Sequence, residues 1–139
     1  MKTVRLPVPA FILAIATGVV LWPSAGNAQE IFGCWETDRN ADEARKICIN
    51  RDLYLDQVTF HSRGDSGSCD YYPVVRGVRE GVIYVFTVPP GTDNCTDHHG
   101  RRTGSVPGTM RCQVMDEKRM ACETAWLGYD TIQQIYYRK

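Results

Sequence analysis

The densest chemistry in the chain lies at residues 94–102, NCTDHHGRR, where a cysteine, a carboxylate, two adjacent imidazoles and two guanidiniums share nine positions. Cys95, Asp97, His98 and His99 are side-chain types that hold a transition-metal ion, with His61 available as a further ligand from elsewhere. Adjacent histidines in extended backbone project to opposite sides, so joint ligation demands a turn at His99-Gly100. Spending Cys95 on a metal also strands an odd number of cysteines, which is unfavourable in an oxidising compartment. The expectation is therefore a segment without metal or cofactor. Asp97, His98, His99, Arg101 and Arg102 then form a charged loop, bounded by Gly and Pro and pinned by Cys95, that is suited to contacting an acidic protein partner.

Catalytic arrangements are poorer. The even cysteine count disfavours a thiol nucleophile, no G-x-S-x-G elbow is present, and Ser66 and Ser68 stand in a stretch where a turn expects serine. Glu36, Asp56 and Glu123 fall on expected strands, and an inward-facing pair of carboxylates would supply an acid and a base. Alternation turns Glu123 away from the side of Cys122, however, and outward charges on half-buried strands account for all three. Arg63-Gly64-Asp65 and Asn94-Cys95-Thr96 match a short adhesion tripeptide and a glycosylation sequon; both read as turn or chance composition. No catalytic residue is assigned, and the chain reads as a non-enzyme.

The N-terminus has the three parts of a secretory leader: Lys2 and Arg5, an apolar stretch, and a small polar end at Pro23-Ser24-Ala25-Gly26-Asn27-Ala28. The apolar run at 10–22 falls short of the roughly 18–20 residues that span a bilayer. Cleavage after Ala28 makes residues 1–28 a signal peptide and residues 29–139 one periplasmic or secreted domain, with no membrane span left. Sixteen basic residues balance sixteen acidic ones, and loss of Lys2 and Arg5 leaves a net charge of about −2, which attracts neither nucleic acid nor an anionic membrane.

All six cysteines, Cys34, Cys48, Cys69, Cys95, Cys112 and Cys122, survive that cleavage and imply three disulfides. Spacing alone does not select a connectivity; the sequential set 34–48, 69–95 and 112–122 is preferred. Strand signals dominate the mature region, with runs expected near 31–37, 45–50, 53–61, 69–75, 82–88, 108–115, 119–126 and 132–138. The clearest hairpin joins the sixth and seventh of these, whose period-two pattern sets Cys112 opposite Cys122. Residues 39–46 are rich in helix formers and suit a short helix or a polar loop. Residues 89–107, punctuated by Pro and Gly, carry no strand character and form the longest expected loop.

These features give an all-β class: a single small up-and-down β-barrel or flattened barrel of about eight antiparallel strands, stapled by disulfides. Gly33-Cys34-Trp35 in the first strand and Arg138 near the end resemble the lipocalin and calycin arrangement, in which an early Trp closes the barrel floor under a late Arg. The resemblance covers only the two ends of the chain. It implies that Gly33, Trp35 and Arg138 are structural, with the cation stacked on the ring. Three function classes follow as expectations. The first is an exported binding module, such as an inhibitor of an envelope or foreign hydrolase, acting through residues 89–107. The second is a carrier of a small apolar ligand in the barrel lumen, and the third a small hydrolase. A lumen void lined by apolar atoms discriminates for the carrier, a packed interior for the module.

Overall fold

The computed structural model describes residues 30–62, 64–91, 94–104 and 106–139; the leader expected at 1–28 lies outside them. The described chain is all-β. Strands β1 (Gly33–Glu36), β2 (Glu43–Ile49), β3 (Leu55–Ser62) and β4 (Asp65–Asp70) run as a meander. They are followed by β5 (Val78–Glu80), β6 (Ile83–Val88), β7 (Cys95–Asp97) and β8 (Arg102–Thr103), then by β9 (Gly108–Val114), β10 (Arg119–Trp126) and β11 (Ile132–Arg138). All belong to one antiparallel sheet of order β5-β6-β9-β10-β11-β1-β2-β3-β4-β7-β8, curled into a half-barrel.

Period-two burial generates this curl. In β10, Met120, Cys122 and Thr124 are buried while Arg119, Glu123 and Ala125 are exposed, and in β6 Tyr84, Phe86 and Val88 are buried. Trp35, Ile47, Leu55, Met110 and Tyr136 bring β1, β2, β3, β9 and β11 into the same core. A register shift between Cys48 and Ile49 is a β-bulge, and it lets Leu55 and Val58, three positions apart, both face inward. Gly81, with φ of 64°, takes the first central position of the two-residue turn between paired Glu80 and Ile83, a conformation that Gly adopts without strain.

The disulfides are 34–48, 69–95 and 112–122, each joining residues directly opposite in register. Cys69–Cys95 and Cys112–Cys122 lie in the core, whereas Cys34–Cys48 sits on the face opposite Trp35 and Ile47.

Several expectations are corrected. Among the described residues eleven strands replace eight, because β5, β7 and β8 are two or three residues long and too polar to register as apolar runs. Residues 89–107 are not strandless: β7 and β8 pair as a hairpin, Cys95 opposite Thr103. The stretch at 69–75 is a strand only at its start, since β4 begins at Asp65 and residues after Asp70 turn. Residues 39–46 hold no helix, because Glu43 already belongs to β2. The barrel is not fully closed either. The edge strands β5 and β8 do not pair, and the sheet is drawn together at one end alone, where Leu55 N–H donates to Val75 O (2.8 Å) and Gly77 N–H to Leu53 O (2.6 Å) around a Tyr54–Arg76 bridge.

Candidate functional site

The drawn-together end is plugged. Arg138 lies 4.2 Å over the Trp35 ring, donates from Nη1 to Phe32 O (2.9 Å), from Nη2 to Glu30 O (2.7 Å) and from Nε to Glu117 O (2.9 Å), while Trp35 Nε1 donates to Ile31 O (2.7 Å). Gly33 is placed here by necessity: its φ is 113°, and a Cβ would stand 3.3 Å from Arg138 Nη1. This is the stack singled out for Gly33, Trp35 and Arg138 in the sequence. Phe32 does not reach the core; it is half-buried beneath Arg51, 5.3 Å from the ring centroid.

The other end of the half-barrel holds a cavity of about 310 Å3. Its walls come from β2, β3, β4 and the β10–β11 turn, with Val58, Phe60, Val106, Trp126 and Ile132 giving an apolar surface. The volume is at the lower end of those that take small ligands. Two polar groups belong to its inner wall. Tyr71 is buried, and burial pushes its phenol up to about 12, tempered by the positive charge of Arg45. Arg45 has only 12% of its side chain exposed.

Arg45 reaches the lumen through the alternation of β2, in which Glu43, Arg45, Ile47 and Ile49 share one face. Its Nη2 donates to Glu43 Oε2 (3.0 Å), and Glu43 is held in turn by Gln134 Nε2 on its backbone oxygen (2.7 Å). Arg45 Nε is buried without any partner. An unmet N–H on a buried cation costs on the order of 1–3 kcal/mol or more, so the site carries a donor with nothing to satisfy it. Tyr136 packs nearby, its hydroxyl 3.3 Å from Gln134 Oε1, and burial pushes it up to about 12 against the lowering influence of Arg45. Glu43, His61, Asp65 and Asp130 complete the wall, the last three exposed.

The residues expected to form a partner-binding loop are brought together, but in a different form. Asp97 Oδ1 accepts the backbone N–H groups of His99 and Arg101, each at 2.9 Å, and Oδ2 accepts Arg101 Nε at 2.9 Å with Arg101 Nη2 at the same distance. These contacts, the Arg101 N–H first, hold the Asp97 carboxyl below the usual carboxylate range. Asp97 thus fastens its own turn and is not a free ligand. His98 and His99 do not project to opposite sides: the turn that closes the hairpin brings their ring centroids within 3.8 Å at a tilt of 45°, and both are exposed with Arg101 and Arg102. Among the described residues, no three of His, Cys, Asp and Glu gather as for a metal ion. Cys95 is in its disulfide, and the side-chain oxygen of Asn94 is buried.

The carboxylates weighed as acid and base face outward. Glu36 shares the side of Cys34, pairs with Lys139 Nζ at 2.8 Å, and is held low chiefly by that bond. Asp56 is exposed, and Glu123 accepts Gln133 Nε2 at 3.1 Å on the surface. Of the Arg-Gly-Asp tripeptide, Arg63 lies outside the described residues and Asp65 opens β4. The sequence offered a lumen that could take a small apolar ligand, but not Arg45 and Tyr71 on its wall. The detectable signal was the alternation of Arg45, Ile47 and Ile49, overshadowed by the helix formers before it. No family model matches the chain, and no curated protein or solved structure is similar to it.

Proposed function

We propose that this chain is an exported binding protein that holds a small, largely apolar molecule in the open end of its half-barrel. The cavity carries the reading: its surface is predominantly apolar, it has the volume of a small-ligand site, and it lies at the end opposite the Arg138–Trp35 plug. Three disulfides suit an oxidising compartment outside the cytoplasm, consistent with the leader expected at residues 1–28. Binding is favoured over catalysis because the inner polar groups are poor proton carriers at neutral pH: an arginine stays charged, and the Tyr71 phenol is pushed up to about 12. A lipocalin-like plan is part of this proposal, supported by the ring-and-cation plug at one end and the open lumen at the other. The excursion of β5 and β6 to the far side of the sheet departs from a simple up-and-down order.

The test is titration of the oxidised mature protein with an environment-sensitive apolar dye, displaced by 1-octanol. Saturable one-site binding is expected, and its loss in Val106→Trp, which sets an indole on the cavity wall, at an unchanged melting temperature. Failure of the folded wild type to bind saturably, or undiminished binding by the filled variant, refutes the proposal.

A second reading, capture of an acidic protein by the β7–β8 hairpin, is favoured by the exposed His98, His99 and Arg102 on a turn fastened by Asp97. Its probe is Arg102→Glu alone, because Arg101 is committed to Asp97. Unchanged capture of a partner from envelope extract by that variant removes the hairpin from consideration.

A further inference from the structure

We infer that the lumen ligand carries an acidic group, so that the class of molecule recognised is a small apolar carboxylate rather than a neutral or cationic compound. The inference rests on the proposed lumen reading and deepens it. The guanidinium of Arg45 is the most deeply placed charge on the cavity wall, and it is only half satisfied: Nη2 is taken by Glu43, and Nε has no partner although it is sealed from solvent. Buried donors in native proteins are nearly always paired, and this unpaired one belongs to a side chain that lines the cavity. A guanidinium presents its N–H groups as a planar fork that matches the two oxygens of a carboxylate, so a small swing of the side chain offers the Nε edge to such a group.

The other charges on the wall do not compete for this place. Glu43 is 42% exposed and already spent on Arg45, while Asp65 and Asp130 are exposed at the rim, where water screens them. The apolar body of the ligand then lies against Val58, Phe60 and Trp126, leaving its acidic end toward Arg45 and the Tyr71 phenol, which stays protonated at neutral pH.

Three probes of one chain length separate the possibilities: octanoate, 1-octanol and octylammonium, each titrated by calorimetry at neutral pH into the full oxidised protein. Octanoate is expected to bind roughly 10- to 100-fold more tightly than 1-octanol, as a charge-assisted hydrogen bond allows, and octylammonium more weakly than either. Arg45→Met should abolish the preference for octanoate while leaving 1-octanol binding intact. Should that variant fail to fold, Glu43→Gln serves in its place: it removes the carboxylate charge that competes for Arg45, keeps the cation, and should tighten octanoate several-fold without tightening 1-octanol. Equal affinities for the three probes, or a preference for octylammonium, overturns the acidic-ligand inference and leaves the lumen reading standing. Absence of binding by all three overturns both.

Discussion

Arg138→Ala tests whether the plug is a structural latch. The substitution removes a guanidinium 4.2 Å above the Trp35 ring and three donations to the backbone oxygens of Glu30, Phe32 and Glu117. Two of those hydrogen bonds are exposed to solvent, so each is placed at the low end of the ordinary net value, about 0.5 kcal/mol, with about 1 kcal/mol for the part-buried one to Phe32. A desolvated cation over an indole adds about 1–2 kcal/mol, bringing the loss to roughly 3–4 kcal/mol. For a domain near this size each kcal/mol lowers the melting temperature by about 4 °C, so a drop of roughly 12–16 °C is expected. The assay is thermal unfolding of the oxidised protein followed by near-ultraviolet circular dichroism, with Arg138→Lys as the control. Lysine keeps a cation near the ring but cannot reach three divergent carbonyls, and should recover less than half of the loss. A loss under about 1 kcal/mol in Arg138→Ala, or a lysine variant as stable as wild type, refutes the claim that the planar fork does the fastening.

Three further outcomes follow from the same structure. Replacing Cys69 and Cys95 by Ala should cost more than replacing Cys112 and Cys122, about 3.5 against about 2.7 kcal/mol by chain entropy, because the separations are 26 and 10 residues; urea midpoints of the two variants check the order. Asp97 is held below its ordinary value by its hairpin partners, so its fastening of the turn is present above the unfolded carboxylate range and is lost as pH falls through the lowered value. The protection of the His99 and Arg101 amides against exchange, relative to the intrinsic rate at each pH, should fall below about pH 4 in wild type and be low at all pH in Asp97→Ala. Tyr71 has the opposite sign: its raised value leaves its stabilising contribution intact below about pH 10 and removes it as pH rises toward 12, so Tyr71→Phe should flatten the alkaline limb of stability against pH.

What the sequence reveals here depends on how local its causes are. The Cys112–Cys122 bridge was legible because β9 and β10 form one hairpin whose period-two pattern and short turn fix the register. The Arg138–Trp35 contact was legible as a pair of residue types, although its geometry depends on strands a hundred positions apart coming into register. β7 and β8 were hidden because Asp97 and the disulfide to Cys69 hold them, and neither interaction leaves an apolar pattern in residues 95–103. The polar lining of the cavity was hidden for a related reason. Its key cation belongs to a stretch, Glu43-Ala44-Arg45-Lys46, whose composition favours helix and whose strand conformation is imposed by pairing with β1 and β3. The histidines drew attention by density, yet a turn and not a ligand explains their proximity.

The place of the first and last strands has a consequence for which molecules reach the folded state. β1 and β11 are neighbours in the middle of the sheet, with Trp35 opposite Arg138. A chain broken off before Ile132 would not lose a fringe; β5-β6-β9-β10 and β1-β2-β3-β4-β7-β8 would be left as two pleats joined only by the hydrogen bonds around Tyr54 and Arg76, with β10 and β1 as new open edges. The two halves of the sheet therefore gain strand-to-strand contact across their middle only when β11 is present to pair with both β10 and β1.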